Sequence, residues 1–128
     1  MSSPVAIITG ASQGIGAGLV AGYRSAGYAV VGVARSFPPA EQDESDYVAV
    51  AGDIADARAA RRAVDEARDR FGRIDTLINN AGIYIGKPFT EYTFDEYEAI
   101  MAVNLTGFFR ITQLAGRTGG TRELRQDY

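Results

Sequence analysis

Thr9-Gly10-Ala11-Ser12-Gln13-Gly14-Ile15-Gly16 lies between an apolar run, Pro4 to Ile8, and an amphipathic segment, Ile15 to Ala26. The run reads as a short buried strand and the segment as a helix. A glycine-rich turn between them places backbone N–H groups and the positive end of a helix dipole where a pyrophosphate binds. Gly10 suits the tight turn, while Gly14 and Gly16 let ligand and sheet approach the backbone. Ser12, Gln13 and Ile15 complete the candidate phosphate loop. The competing reading is an ordinary βα loop that happens to be rich in glycine, so the rest of the chain must decide.

Outward from this loop, strand-like and helix-like segments alternate, which predicts a parallel sheet wrapped by helices. Tyr28–Ala34, Tyr47–Ala51 and Ile74–Asn79 read as further strands. Asp56 is placed to cap a helix reaching about Phe71, with Ala60, Ala63, Val64, Ala67 and Phe71 on its apolar face. Thr93 with Glu96 predicts a capping box that opens a helical pattern through Ile100, Val103, Phe108, Ile111 and Leu114, bent near Asn104 to Gly107. From Gly116 to Tyr128 no helical or strand period is evident, and a frayed or disordered tail is expected.

At 128 residues, 46% apolar and 23% charged, the chain has the make-up of one globular domain. A net charge of −3 gives no reason to expect nucleic acid or an anionic membrane as partner. The absence of cysteine excludes thiolate chemistry, and the absence of histidine removes the commonest metal ligand and general base, so no metal site is expected. No apolar run has spanning length, and a cytoplasmic location is the default expectation. Glu41, Asp43, Glu44 and Asp46 read as a solvated acidic loop.

Further segments fall at the carboxyl ends of the predicted strands, where ligands of open α/β sheets bind. The second strand ends in Ala34-Arg35-Ser36, with no acid before Glu41. An acid there would bind the ribose hydroxyls of NAD; an arginine pairs instead with a 2′-phosphate, so Arg35 favours NADP(H) over NAD(H) unless it is a solvated loop arginine. After the third strand, Asp53 offers an acceptor for an adenine amino group with Ile54 against the ring; alternatively its side chain caps the local turn. Asn79-Asn80-Ala81-Gly82 ends the fourth strand, with Asn80 tying down backbone and Ala81 and Gly82 leaving room for a ribose. Asn104 is a polar residue on an apolar helical face.

Taken together, T-G-A-S-Q-G-I-G, Asp53-Ile54, N-N-A-G and Asn104 resemble the N-terminal half of a short-chain dehydrogenase/reductase, over about Val5 to Ala115. The resemblance implies an NAD(P)-binding Rossmann unit over residues 1–115, a truncated doubly wound fold of about four parallel strands, and residues 116–128 as a tail outside it. It implies hydride transfer between a nicotinamide and a carbonyl or alcohol carbon. In that scheme a tyrosine, its pKa lowered by a lysine and the nicotinamide charge, is the acid/base. A serine polarises the substrate oxygen, and Asn104 matches the asparagine that holds a relay water.

The family's Y-x-x-x-K places tyrosine and lysine on one helix face. This chain has a single lysine, Lys87, preceded four residues earlier by Ile83; Tyr84 is three away and falls in a loop. The family's serine, tyrosine and lysine lie downstream of the asparagine helix, so the expectation is a truncated or frameshifted product, inactive alone. The alternatives are a non-catalytic NADP(H)-binding module and a fragment that associates with a complete homologue. A fourth strand lacking its outer neighbour would expose an apolar edge. Self-association through that edge and the Thr93–Ala115 helices is therefore expected.

Overall fold

The structure, a computed structural model, describes residues 3–38, 43–82, 87–118 and 125–127. Strands β1 (Val5–Thr9), β2 (Ala29–Ala34), β3 (Tyr47–Ala51), β4 (Thr76–Ile78) and β5 (Arg125–Asp127) form one sheet in the order β3-β2-β1-β4-β5. Every pairing between these strands is parallel. Strands covered on both faces are apolar throughout, which is why β1 and β2 read as continuous runs. Alternate residues of β1 serve opposite cores. Val5 and Ile7 pack with Val31, Val33, Val64 and Ile111, whereas Ala6 and Ile8 pack with Val20, Val30, Tyr47 and Ile78.

Helix α1 (Gly14–Ser25) covers the second core, and α2 (Ala57–Glu66) with α4 (Phe108–Thr118) covers the first. Asp56 caps α2 by accepting the Arg58 N–H at 2.8 Å. The buried face of α2 is Ala59, Ala60, Ala63 and Val64, small side chains that bring the helix close to the sheet. It runs on through a wider i→i+5 turn at Ala67–Phe71. Helix α3 (Phe94–Met101) opens with the complete Thr93–Glu96 capping box, and a second wide turn, Ala102–Gly107, joins it to α4. The bend expected near Asn104 is this turn.

The chain winds outward from β1 to β3 and then crosses back to place β4 on the other side of β1. A crevice opens between the carboxyl ends of β1 and β4, where the winding reverses direction.

Two expectations are corrected. The edge of β4 is not bare: Thr76, Leu77 and Ile78 pair in register with Arg125, Gln126 and Asp127. Main-chain hydrogen bonding needs no apolar pattern, so a polar tripeptide completes the ladder that side-chain periodicity did not announce. Helix α4 also runs past Ala115 to Thr118; residues 119–124 and Tyr128 lie outside the described residues.

The acidic stretch, in turn, is not simply solvated. Arg24 at the end of α1 pairs with Asp46 at 2.8 Å and Glu44 at 2.6 Å, with its guanidinium 5.2 Å from the Tyr47 ring centroid. Asp43 accepts the Ala49 N–H at 3.0 Å. Glu41 lies outside the described residues.

Candidate functional site

The loop after β1 is built around two residues in the left-handed region, Gly10 at φ 66° and Gly14 at φ 59°. A side chain at either position would strain the turn. Gln13, extended at φ −157°, is the N-cap of α1 and gives no side-chain cap. The first turn of α1 contains no acid. Its N–H groups therefore have neither intrahelical acceptors nor a built-in carboxylate, which is the condition for binding an anion. Gly16 is buried with its α-carbon against the Gly10 carbonyl; a β-carbon there would overlap that oxygen and come within 2.8 Å of Asn80 Nδ2.

Two hydrogen-bonding side chains tie this loop to the end of β4. The Thr9 hydroxyl accepts the N–H groups of Asn80 at 3.1 Å and Ala81 at 3.0 Å, and donates to the Ile78 carbonyl at 3.4 Å. Asn80 Nδ2 returns a bond to the Gly10 carbonyl at 3.2 Å. Thr9 is 1% exposed, so its hydroxyl works inside the protein. Its role went unread because a threonine ending an apolar run looks like any other β-branched strand residue.

The ends of β2 and β3 complete a cleft of about 280 Å³. Gly10, Ser12 and Gln13 line it from one side, Asn80, Ala81 and Gly82 from another, and Arg35, Asp53 and Ile54 from the far end. Val33, Ala34, Ser36, Gly52 and Val103 also line it, and the sequence does not mark them as lining residues. Gly14, Ile15 and Gly16 do not line it: Gly14 shapes the turn, Gly16 backs it, and Ile15 is 77% exposed. Arg35 is exposed and has no hydrogen-bonding or ionic partner among the described residues.

At Asp53 the capping role is realised: Oδ1 accepts the Ala55 N–H at 2.9 Å, and its carbonyl accepts the Asp56 N–H at 2.8 Å. This leaves Oδ2 without a hydrogen bond among the described residues. Ile54 is 6% exposed and belongs to the core as much as to the cleft, with its carbonyl and Cγ2 facing Gly107.

Asn104 stands beside the cleft rather than in its lining, in the Ala102–Gly107 turn. A β-carbon on Gly82 would lie 3.4 Å from its Oδ1. Lys87 is committed elsewhere, pairing with Glu96 at 2.8 Å; this bond, with the Thr93 N–H, holds the Glu96 carboxyl below its usual range. Tyr84 lies outside the described residues. Among the described residues no cluster of acids could hold a metal, and no helix is long and apolar enough to cross a membrane.

Residues 4–119 match the family model described as short chain dehydrogenase. A D-threitol dehydrogenase of Mycolicibacterium smegmatis is 32% identical, over 91% of this chain and 48% of the relative. A short-chain dehydrogenase/reductase structure from Serratia marcescens superposes with a TM-score of 0.78 at 35% identity, over 90% of this chain and 52% of its own. A blue fluorescent protein from a metagenomic library, solved in complex with NADPH, gives a TM-score of 0.78 at 30% identity, over 91% of this chain and 51% of its own. The chain thus spans about half the length of the relatives it matches.

Proposed function

The chain belongs to the short chain dehydrogenase family, and we propose that it is the cofactor-binding half of an NADP(H)-dependent oxidoreductase, without turnover of its own. The fold is the family's NAD(P)-binding Rossmann arrangement. The observation that carries the finer reading is the convergence of Ser12, Gln13, Arg35, Asp53 and Asn80 on one cleft at the winding reversal. The α1 N-terminus, free of acids, receives the pyrophosphate. Arg35, beside Ser36 and with no acid nearby on β2, takes the 2′-phosphate. Asp53 Oδ2 accepts from the adenine amino group, and Ala81 and Gly82 floor the ribose. When bound, the dinucleotide supplies or accepts a hydride at its nicotinamide ring.

Proton transfer is the missing half. The sequence contains no histidine or cysteine, and its one lysine is tied to Glu96. Asn104, beside Gly82, is the remnant that would position a water in a complete site. A small carbonyl or alcohol substrate becomes a partner only when the rest of the machinery is supplied.

A second reading, an assembly with another copy or a complete homologue, is favoured by the exposure of Phe94, Tyr97, Leu105 and Phe109 on and around α3 and α4. With β5 on the β4 edge, the apolar side chains exposed on α3 and α4 offer a surface for such an assembly.

Titration with NADPH and NADH tests the first reading. Wild type is expected to bind NADPH more tightly, Gly14→Asp to bind neither, and Arg35→Asp to lose roughly tenfold or more for NADPH alone. No saturable binding by wild type would refute the nucleotide site. Oxidation of NADPH with a panel of ketones and quinones, abolished by Asn104→Ala, would refute the absence of turnover.

A further inference from the structure

The first turn of α4 is keyed into the turn that follows β3, and this contact has no part in the cofactor contacts above. Arg110 Nη1 donates to the Ala55 carbonyl at 2.8 Å, across 55 residues of chain. One helical turn earlier, Gly107 lies against Ile54, where a β-carbon would come within 2.9 Å of the Ile54 carbonyl oxygen. The Arg110 charge also reaches Asp56, whose carboxyl is held down mainly by Arg58 and in small part by Arg110.

Ala55 is therefore held on both sides. Its N–H goes to Asp53 Oδ1 and its carbonyl to Arg110. The Ala55–Asp56 peptide is held at both ends, its N–H on the Asp53 carbonyl at 2.8 Å and its C=O on Arg110, so it cannot rotate without breaking one bond, and Arg110 thereby bears on the turn that presents the Asp53 carboxylate. The same helical stretch brings Val103 into the cleft lining and Asn104 beside Gly82.

We infer that Arg110 is a positioning residue for the adenine end of the cleft, setting the Gly52–Asp56 turn from α4. The inference rests on the nucleotide reading above. It makes adenylate affinity depend on a side chain that never touches the ligand.

The full chain is tested in two ways, by amide hydrogen exchange without ligand and by titration with NADPH and with adenosine 2′,5′-bisphosphate. Arg110→Met is expected to speed exchange at the Ala55 and Asp56 amides while leaving the β1 amides of Ala6 and Ile7 unchanged. It should weaken both ligands roughly tenfold, the loss of one charge-assisted hydrogen bond. Arg110→Lys, which keeps a donor, should recover most of that loss, and Arg117→Met on the same helix should bind as wild type. If the methionine variant does not fold, Arg110→Ala, which likewise has no donor, supplies the same comparison.

Unchanged exchange at Ala55 and Asp56 overturns the inference whatever the ligands do. Faster exchange with unaltered affinity also overturns it, because the arginine would then only support the fold. A wild type that binds neither ligand is a different failure, that of the nucleotide site itself.

Discussion

The α-carbon of Gly16 rests on the backbone carbonyl of Gly10, and the same carbonyl accepts Asn80 Nδ2 at 3.2 Å. Phosphate loop, helix start and β4 end thus meet at one oxygen. A methyl group at position 16 has no space, since the two nearest atoms are the Gly10 backbone carbonyl oxygen and carbon. Gly16→Ala is expected to cost about 1–3 kcal/mol and to weaken NADPH binding in parallel. Urea denaturation and nucleotide titration of the variant check both effects. Wild-type stability in Gly16→Ala would mean the loop yields more easily than its contacts allow.

Thr9 carries a comparable load through its hydroxyl. Thr9→Val keeps the shape but leaves the N–H groups of Asn80 and Ala81 without their acceptor. The expected loss is about 2–4 kcal/mol. Thr9→Ser keeps the acceptor and should lose about 1 kcal/mol for the missing methyl. Equal denaturation midpoints for the two variants would rule out the hydroxyl as the cause.

Asp46 gives a pH signature. Its hydrogen bond to Arg24 comes first among the causes that hold its carboxyl below the ordinary value of 3.8. The folded state therefore binds this proton less tightly than the unfolded chain. The resulting stability is complete well above 3.8 and is lost as pH falls through the depressed folded value. Because the side chain is 43% exposed, solvent screening limits the effect to under about 1 kcal/mol. Asp46→Asn should be less stable than wild type near pH ~7, with the gap closing towards pH ~3. A gap that widens in acid would reverse the assignment.

Phe109 is 60% exposed on α4, so most of its ring gains nothing from folding of the single chain. Phe109→Glu should change monomer stability by no more than about 0.5 kcal/mol. It should also lower the sedimentation coefficient of any wild-type assembly towards that of a monomer. An assembly untouched by this change would have to use another surface.

What could be read from the sequence follows from how each feature is encoded. Strands β1 to β3 are apolar on both faces, so their residues declare them. Asp56 and the Thr93–Glu96 box are local signals resolved within a few residues. Most of the cleft residues were legible as segments because they follow strands, and the sheet gathers strand ends at one rim; Val33 and Ala34 lie within β2 and Val103 on a helical turn.

Long-range polar contacts were not legible. Arg24 finds Asp46 across 22 residues, and Arg110 finds Ala55 across 55, with no periodicity to mark either. Asp53 illustrates a choice the sequence posed too narrowly: one carboxylate oxygen caps the turn, while the other has no hydrogen bond among the described residues. Ile54, expected against a ring, both lines the cleft and belongs to the core.

The pairing of Arg125–Asp127 with β4 also governs how the protein behaves in concentrated solution. A parallel sheet grows by adding strands at whichever border presents unsatisfied amides and carbonyls. Here the β4 border is covered by Arg125–Asp127, which leaves β3 and β5 as the outer strands of the described sheet. A strand that paired with β4 itself would have to displace the three main-chain pairings of Thr76 with Arg125, Leu77 with Gln126 and Ile78 with Asp127. Access to the β4 edge is then governed by three residues outside the glycine loop, and removing them would uncover that edge while sparing every residue that lines the cleft.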